Sequence, residues 1–130
     1  MRWSAAIIFI TACMTGVAAG QAEAADTNDD IRLTFLGTGA PRPSHERYGP
    51  SILVEAGEYK VLVDAGPGTR ERMFQAGGFE LLTAVDHILI THLHFDHTIS
   101  VPGLWLTGWL FGRKVAMKIY GPAGTTKMMG

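Results

Sequence analysis

The feature that most constrains this chain is a cluster of metal-binding residue types directly after a buried apolar run. The run is Val85 to Thr91, and the cluster is His92-Leu93-His94-Phe95-Asp96-His97. Ile88-Leu89-Ile90 is apolar at consecutive positions, which is typical of a strand covered on both faces. We therefore expect an α/β fold in which helices pack over a sheet, with the cluster at the end of a strand.

The spacing within the cluster indicates metal binding. In extended backbone alternate side chains point the same way, so His92 and His94 can meet one ion. Asp96 and His97 follow in what we expect to be a loop, which can aim them at a second ion beside the first. Imidazole and carboxylate suit zinc, with iron or manganese as weaker candidates. A copper- or nickel-sequestering loop and a hydrogen-bonded polar turn are the alternatives.

The rest of the chain predicts four further strands and three helices. Glycine, proline and apolar alternation place the strands and helices at the following positions: strands in Ile31–Phe35, Ser51–Ala56, Tyr59–Asp64 and Val115–Tyr120, helices in Thr69–Gln75 and Leu104–Phe111, and a last helix from Thr125. Gly57-Glu58 joins two of these strands in a β-hairpin. Gly77-Gly78 is the expected stop of the first helix.

The first 24 residues predict an export signal. Arg2 is followed by an apolar stretch over Ala5–Ala19, and Ala22-Glu23-Ala24 offers a cleavage site. Residues 25–30 then form a polar linker, and residues 31–130 the folded domain. We expect a periplasmic or secreted protein without a stable membrane span after processing. Lipidation at Cys13 and a retained anchor are the alternatives.

Charge and cysteine content exclude several chemistries. Eleven Lys and Arg against twelve Asp and Glu give a net charge of −1, so no general basic field attracts nucleic acid. Cys13 is the only cysteine and lies in the signal, so histidine and carboxylate must hold any metal.

The cluster, taken with four glycine-rich segments, resembles the metallo-β-lactamase superfamily. The segments narrow the resemblance to the branch of ribonuclease Z and of arylsulfatase-like and phosphodiesterase-like enzymes; they are Leu36–Pro41, Arg47–Ser51, Val63–Thr69 and Ile119–Thr125. The resemblance implies the first half of an αββα sandwich. It also implies two zinc ions, the first held by His92 and His94 and the second by Asp96 and His97.

The resemblance gives further roles to two aspartates. Asp96 would also orient the metal-bridging water, which makes it the candidate catalytic residue. Asp64 would support the histidines without binding metal; from the residues alone, a turn-capping aspartate is an equal alternative. No substrate-binding residue is identified.

Two departures from the family pattern matter. Ser100 occupies a position where the pattern has glycine, which is tolerable unless the backbone there needs a positive φ. In addition, no His, Asp or Glu follows His97. A catalytic zinc usually has about three protein ligands, and four candidate ligands are too few for two such ions. We therefore expect a truncated sequence that binds metal weakly, exposes apolar edges and shows little turnover.

The expected function is an exported zinc hydrolase of small phosphate or sulfate esters. Export favours arylsulfatase-like or phosphodiesterase-like activity over a ribonuclease Z, which would also need a basic or glycine-rich substrate arm. Hydrolysis of lactones or β-lactams is less favoured, and a non-catalytic metal-binding remnant is the alternative of a different class. Nucleic acid is therefore a disfavoured partner, and homodimerisation is a further expectation.

Other candidates have bland interpretations. His87 is interpreted as a strand-edge residue and His45 as a solvated loop residue. Trp105 and Trp109 share a helical face that we expect in the core or an interface. Arg113 is expected on a solvated face.

Overall fold

The computed structural model describes residues 30–44 and 46–130. Five strands and four helices follow one another in the order β1 Ile31–Gly37, β2 Ser51–Ala56, β3 Tyr59–Val63, α1 Thr69–Ala84, β4 His87–Leu89, α2 Phe95–Thr98, α3 Val101–Leu110, β5 Lys118–Tyr120 and α4 Thr125–Met129. The predicted hairpin and the helix beginning at Thr125 are confirmed. The export signal and the linker up to residue 29 lie outside the described residues, as does His45.

The strands form one mixed sheet in the order β1-β2-β3-β4-β5. β1, β2 and β3 pair antiparallel, whereas β3, β4 and β5 pair parallel. The switch at β3 is made by α1, which carries the chain back so that β4 can start beside β3 in the same direction. As a result, the carboxyl ends of β3, β4 and β5 meet at one edge of the sheet.

The core lies between one face of this sheet and two helices. Leu53, Leu62 and Ile88 are neighbours across the strand register and are at most 2% exposed. Met73 of α1 and Leu104 of α3 are equally buried against them. Removing this much apolar surface from water is the main stabilising contribution to a small domain.

The opposite face of the sheet remains exposed. Leu33 and Phe35 of β1 are 54% and 63% exposed, and Leu89 of β4 is 42% exposed. The expectation that Ile88-Leu89-Ile90 is covered on both faces is therefore wrong for the described residues: Ile88 and Ile90 are buried, and Leu89 is not. The length of an apolar run in the sequence does not distinguish a strand that is covered on both faces from a strand whose second face is apolar but exposed to solvent.

Helix α1 continues beyond its predicted end. Gly77 and Gly78 break the helix, with φ of −160° and 63°, but the chain resumes helical geometry and reaches Ala84. Phe79 in this second segment stacks on Phe111 with ring centroids 3.9 Å apart. Tertiary packing of this segment, which a local stop signal does not report, explains the difference.

Arg113 differs from expectation, and the two tryptophans do not take the core position that was one of their two expected places. The Arg113 guanidinium donates to the carbonyl of Leu82 at 2.8 Å and to that of Leu104 at 3.4 Å, which links α1 to α3. Burial lowers the pKa of Arg113, although the nearby Asp86 opposes that shift. Trp105 and Trp109 lie outside the core and are 55% and 67% exposed. None of the described helices combines the length and apolarity of a membrane-spanning segment.

Candidate metal centre

Asp64 is the centre of the polar network at the carboxyl edge of the sheet. It follows β3 with φ of 61°, a left-handed conformation that aspartate adopts more readily than most residues. Only 6% of the residue is exposed. Its Oδ1 accepts from the amide of Thr91 at 2.8 Å, and its Oδ2 accepts from the Thr91 hydroxyl at 2.8 Å and contacts Nδ1 of His97 at 2.8 Å. The carboxylate therefore contacts a candidate ligand directly, beyond what a simple turn cap requires.

His92 and His94 are brought together as the spacing predicted. Nε2 of His92 lies 3.1 Å from Nδ1 of His94. Two nitrogens bound at about 2.05 Å to one tetrahedral zinc lie about 3.3 Å apart, so this pair fits the spacing of two ligands on one ion. Because β4 ends at Leu89, both histidines sit in irregular backbone after the strand.

Asp96 and His97 form a second pair beside the first. They lie in the short helix α2, whereas we expected a loop. Oδ2 of Asp96 lies 3.6 Å from Nε2 of His97. The Asp96 residue is only 4% exposed, and a carboxylate in such a place needs a partner of opposite charge or a hydrogen-bond donor. The rings of His92 and His97 are 4.0 Å apart between centroids, so the two pairs adjoin.

The geometry provides two pairs of donors. In the part of the chain that the structure describes, no group of three or more His, Cys, Asp or Glu side chains is arranged to hold one ion. Imidazole nitrogen and carboxylate oxygen are donors that zinc accepts. The residues present fit part of a two-zinc centre in which each ion takes two ligands from this chain.

Glycine-mediated close packing holds the loop after β3 in place. A Cβ on Gly66 would lie 2.4 Å from the carbonyl oxygen of Asp96 and 2.7 Å from the carbonyl carbon of Gly49. Ala65 donates its amide to the His97 carbonyl at 2.7 Å. The glycines of these segments therefore permit the approach that ties Asp64 to α2.

Ser100 adds a further tie between α2 and this loop. Its φ of −85° is normal for any residue, so the missing glycine causes no strain. Its hydroxyl donates to the carbonyl of Gly66 at 2.6 Å.

One residue of the network was missed by sequence reasoning, and one candidate lies elsewhere. Thr91 makes two hydrogen bonds to Asp64, and the available signal was its position directly before His92 at the end of the apolar run. His87 sits at the start of β4, with Nδ1 2.6 Å from Asp86 and its ring stacked 6.0 Å from Tyr120. This agrees with its interpretation as a strand-edge residue.

Comparisons with known proteins agree with this architecture. The family model described as "Anti-Pycsar protein Apyc1" matches residues 31–128. The Ribonuclease Z of Bradyrhizobium diazoefficiens is 46% identical over 94 residues, which cover 72% of this chain and 30% of that protein. The chain thus spans about a third of the length of the curated relatives it matches.

Solved structures give the same fold. The short form of human tRNase Z is similar with a TM-score of 0.66 and 34% identity, covering 75% of this chain and 36% of that one. The metallo-β-lactamase-fold protein YhfI of Bacillus subtilis has the same TM-score at 22% identity, covering 78% and 41%. Together with the family match over residues 31–128, these findings show that the chain belongs to the Apyc1 family of the metallo-β-lactamase fold, on its ribonuclease Z branch.

Proposed function

We propose that this chain supplies the metal-binding part of a zinc-dependent phosphodiester hydrolase of the ribonuclease Z type. The observation that carries the proposal is the arrangement of His92, His94, Asp96 and His97 as two adjoining donor pairs around the Asp64 network. Similarity to proteins named Ribonuclease Z and tRNase Z supports RNA as the substrate class. This replaces the expectation of an exported arylsulfatase-like or phosphodiesterase-like enzyme, because the similar proteins favour the ribonuclease Z alternative.

Each residue has a defined task in the proposed centre. His92 Nε2 and His94 Nδ1 would bind one zinc, and Asp96 with His97 Nε2 the other. Bound zinc would supply an activated water and stabilise negative charge on a phosphoryl oxygen. Asp64 holds Nδ1 of His97 and thereby directs Nε2 toward the Asp96 side. Asp96 remains the candidate residue for orienting the attacking water.

Positive charge on the loop before β2 fits a phosphodiester substrate. Tyr48 packs on Gly68, where an added Cβ would collide with its ring, and the guanidinium of Arg72 lies 4.9 Å from the Tyr48 ring centroid. Arg47 precedes Tyr48 on the same loop and is exposed. Through Tyr48, Arg72 and the neighbouring Arg47 thus lie beside Gly68, in the loop that follows Asp64. Local charge of this kind can act although the net charge of the chain is −1.

A zinc titration combined with three substrates tests the proposal. The substrates are a precursor tRNA with a 3′ trailer, bis(p-nitrophenyl) phosphate and p-nitrophenyl sulfate. We expect zinc-dependent cleavage of the phosphodiesters alone, slow because each ion receives two ligands from this chain, and its loss in Asp96→Asn. Preferential hydrolysis of the sulfate ester, or zinc affinity unchanged by His94→Ala, would contradict the proposal.

A second candidate function follows from the family to which residues 31–128 match. The matching family is described as an anti-Pycsar protein, and the match includes all four proposed ligands. The chain would then act against a Pycsar system. Expression in cells that carry such a system tests this, since Pycsar activity should fall with the wild-type chain and persist with Asp96→Asn.

Export and dimerisation remain proposals that rest on separate features. Residues 1–24 carry the features of a signal, and amino-terminal sequencing of the mature protein would show cleavage near Ala24. The exposed Trp105 and Trp109 of α3 offer a surface for a second copy, which sedimentation analysis of Trp109→Ala would examine.

A further inference from the structure

The hydroxyl of Thr91 lies between the Asp64 carboxylate and the ring of His92. Its oxygen is 2.8 Å from Oδ2 of Asp64 and 3.1 Å from Nδ1 of His92. The Thr91 amide donates separately to Oδ1 of Asp64 at 2.8 Å, which fixes the backbone of Thr91 against the carboxylate. The hydroxyl therefore has little freedom to choose other partners.

Counting protons assigns the direction of both contacts. A carboxylate only accepts, so the contact to Asp64 requires the single proton of the Thr91 hydroxyl. With that proton used, the hydroxyl oxygen can only accept from His92. The 3.1 Å contact then needs a proton on Nδ1 of His92, which leaves Nε2 of the neutral ring with its lone pair.

We propose that Thr91 is a positioning residue. Its hydroxyl, held by Asp64, selects the tautomer of His92 that can bind a metal through Nε2. The freed Nε2 lies on the side where the first metal would bind, and in the metal-free chain it accepts the proton of Nδ1 of His94, which is 3.1 Å away. Asp64 acts on His97 directly, because its Oδ2 also contacts Nδ1 of that ring at 2.8 Å. The buried Asp64 carboxylate therefore orients one histidine of each donor pair. It contacts His97 directly, and it acts on His92 through the Thr91 hydroxyl.

This proposal rests on the proposed metal centre for its purpose, but its first test needs neither metal nor substrate. Long-range ¹H–¹⁵N correlation spectra of the metal-free ¹⁵N-labelled chain, recorded where the imidazoles are neutral, report which ring nitrogen carries the proton. We expect Nδ1–H at His92 in the wild type and in Thr91→Ser, which keeps the hydroxyl. In Thr91→Val, which keeps the shape, we expect His92 to shift toward Nε2–H.

Zinc affinity gives a second readout with the same variants. We expect Thr91→Val to bind zinc about 10-fold more weakly, the lower end of the range for outer partners of metal ligands, and Thr91→Ser to bind within about twofold of wild type. An Nε2–H tautomer of His92 in the wild type would overturn the proposal, even if Thr91→Val did not fold. An unchanged tautomer in folded Thr91→Val would also overturn it.

The two readouts separate this proposal from the proposed function. If His92 shows the expected tautomers but the chain neither binds zinc nor hydrolyses phosphodiesters, the positioning role of Thr91 is supported and the proposed function is wrong. If zinc binds and phosphodiesters are cleaved while His92 carries its proton on Nε2, the positioning role of Thr91 is wrong and the proposed function is supported.

Discussion

Replacing Asp64 by asparagine should weaken metal binding and also lower the stability of the fold, each for a different reason. Asparagine has nearly the same shape and tolerates the left-handed backbone at φ 61°. Its amide oxygen can keep the 2.8 Å bond from the Thr91 amide. Its NH2 group, however, replaces Oδ2, the acceptor shared by the Thr91 hydroxyl and Nδ1 of His97.

The cost to stability follows from those two contacts, in which the amide NH2 must donate where the carboxylate accepted. A hydrogen bond to a charged group contributes about 1 kcal/mol more than a neutral one, so two converted bonds lower the free energy of unfolding by about 2 kcal/mol. The effect on the metal has a different origin. An amide NH2 facing Nδ1 of His97 favours a lone pair on Nδ1, which moves the ring proton to the Nε2 that lies 3.6 Å from Asp96.

We therefore expect Asp64→Asn to bind zinc about 10- to 100-fold more weakly, or about 1.4 to 2.7 kcal/mol, while remaining folded at room temperature. Competition with a chromophoric chelator at neutral pH measures the affinity, and urea denaturation measures the stability. Asp86→Asn is the matched control, because Asp86 also pairs with a histidine, His87, at 2.6 Å but at the start of β4. Equal losses of zinc affinity in both variants, or none in Asp64→Asn, would refute the reasoning.

Three further perturbations test the packing around the site. Gly66→Ala should lower the free energy of unfolding by about 2 to 3 kcal/mol, because its Cβ would lie 2.4 Å from a backbone oxygen. Gly103→Ala in α3 is the control: its Cβ would have no neighbour nearer than 3.9 Å, so it should raise the free energy of unfolding by up to about 1 kcal/mol. Equal urea midpoints of the two variants would contradict this. Arg113→Met should cost about 1 to 2 kcal/mol in the same assay, since two carbonyls in α1 and α3 lose their guanidinium donor; an unchanged midpoint would show that these bonds contribute nothing. Phe35→Thr, on the open sheet face and 63% exposed, should change stability by less than about 0.5 kcal/mol and reduce binding of a hydrophobic dye, whereas a large destabilisation would mean that the face is covered.

Local patterns predicted where each strand lies, although the runs Val85–Thr91 and Val115–Tyr120 contain only the short strands His87–Leu89 and Lys118–Tyr120. Ser51–Ala56 is a strand as expected, and Tyr59–Val63 follows after the two-residue turn. The pairing of His92 with His94 could also be predicted, because two residues at alternate positions in extended backbone point to one side. Such features depend on neighbours within a few residues, which a sequence displays directly.

Features that depend on distant contacts could not be predicted. Gly77-Gly78 was expected to end the first helix, but it only kinks it, and the packing of Leu81 and Leu82 continues α1 to Ala84. Arg113 looked solvated, but its guanidinium lies against carbonyls that are 31 and 9 residues away. Run length could not show that Leu89 faces an open side of the sheet.

The sequence by itself indicated the metallo-β-lactamase superfamily, the strand-forming segments and the candidate metal ligands, because each of these is encoded in short spacings. Tertiary structure alone decided how those residues act together. Asp64 lies 33 residues from His97, and only the parallel pairing of β3 with β4 brings its carboxylate between Thr91 and that ring. Since proton positions follow from which groups meet, the assignment of His92 Nε2 and His97 Nε2 as the free nitrogens could come only from the folded chain.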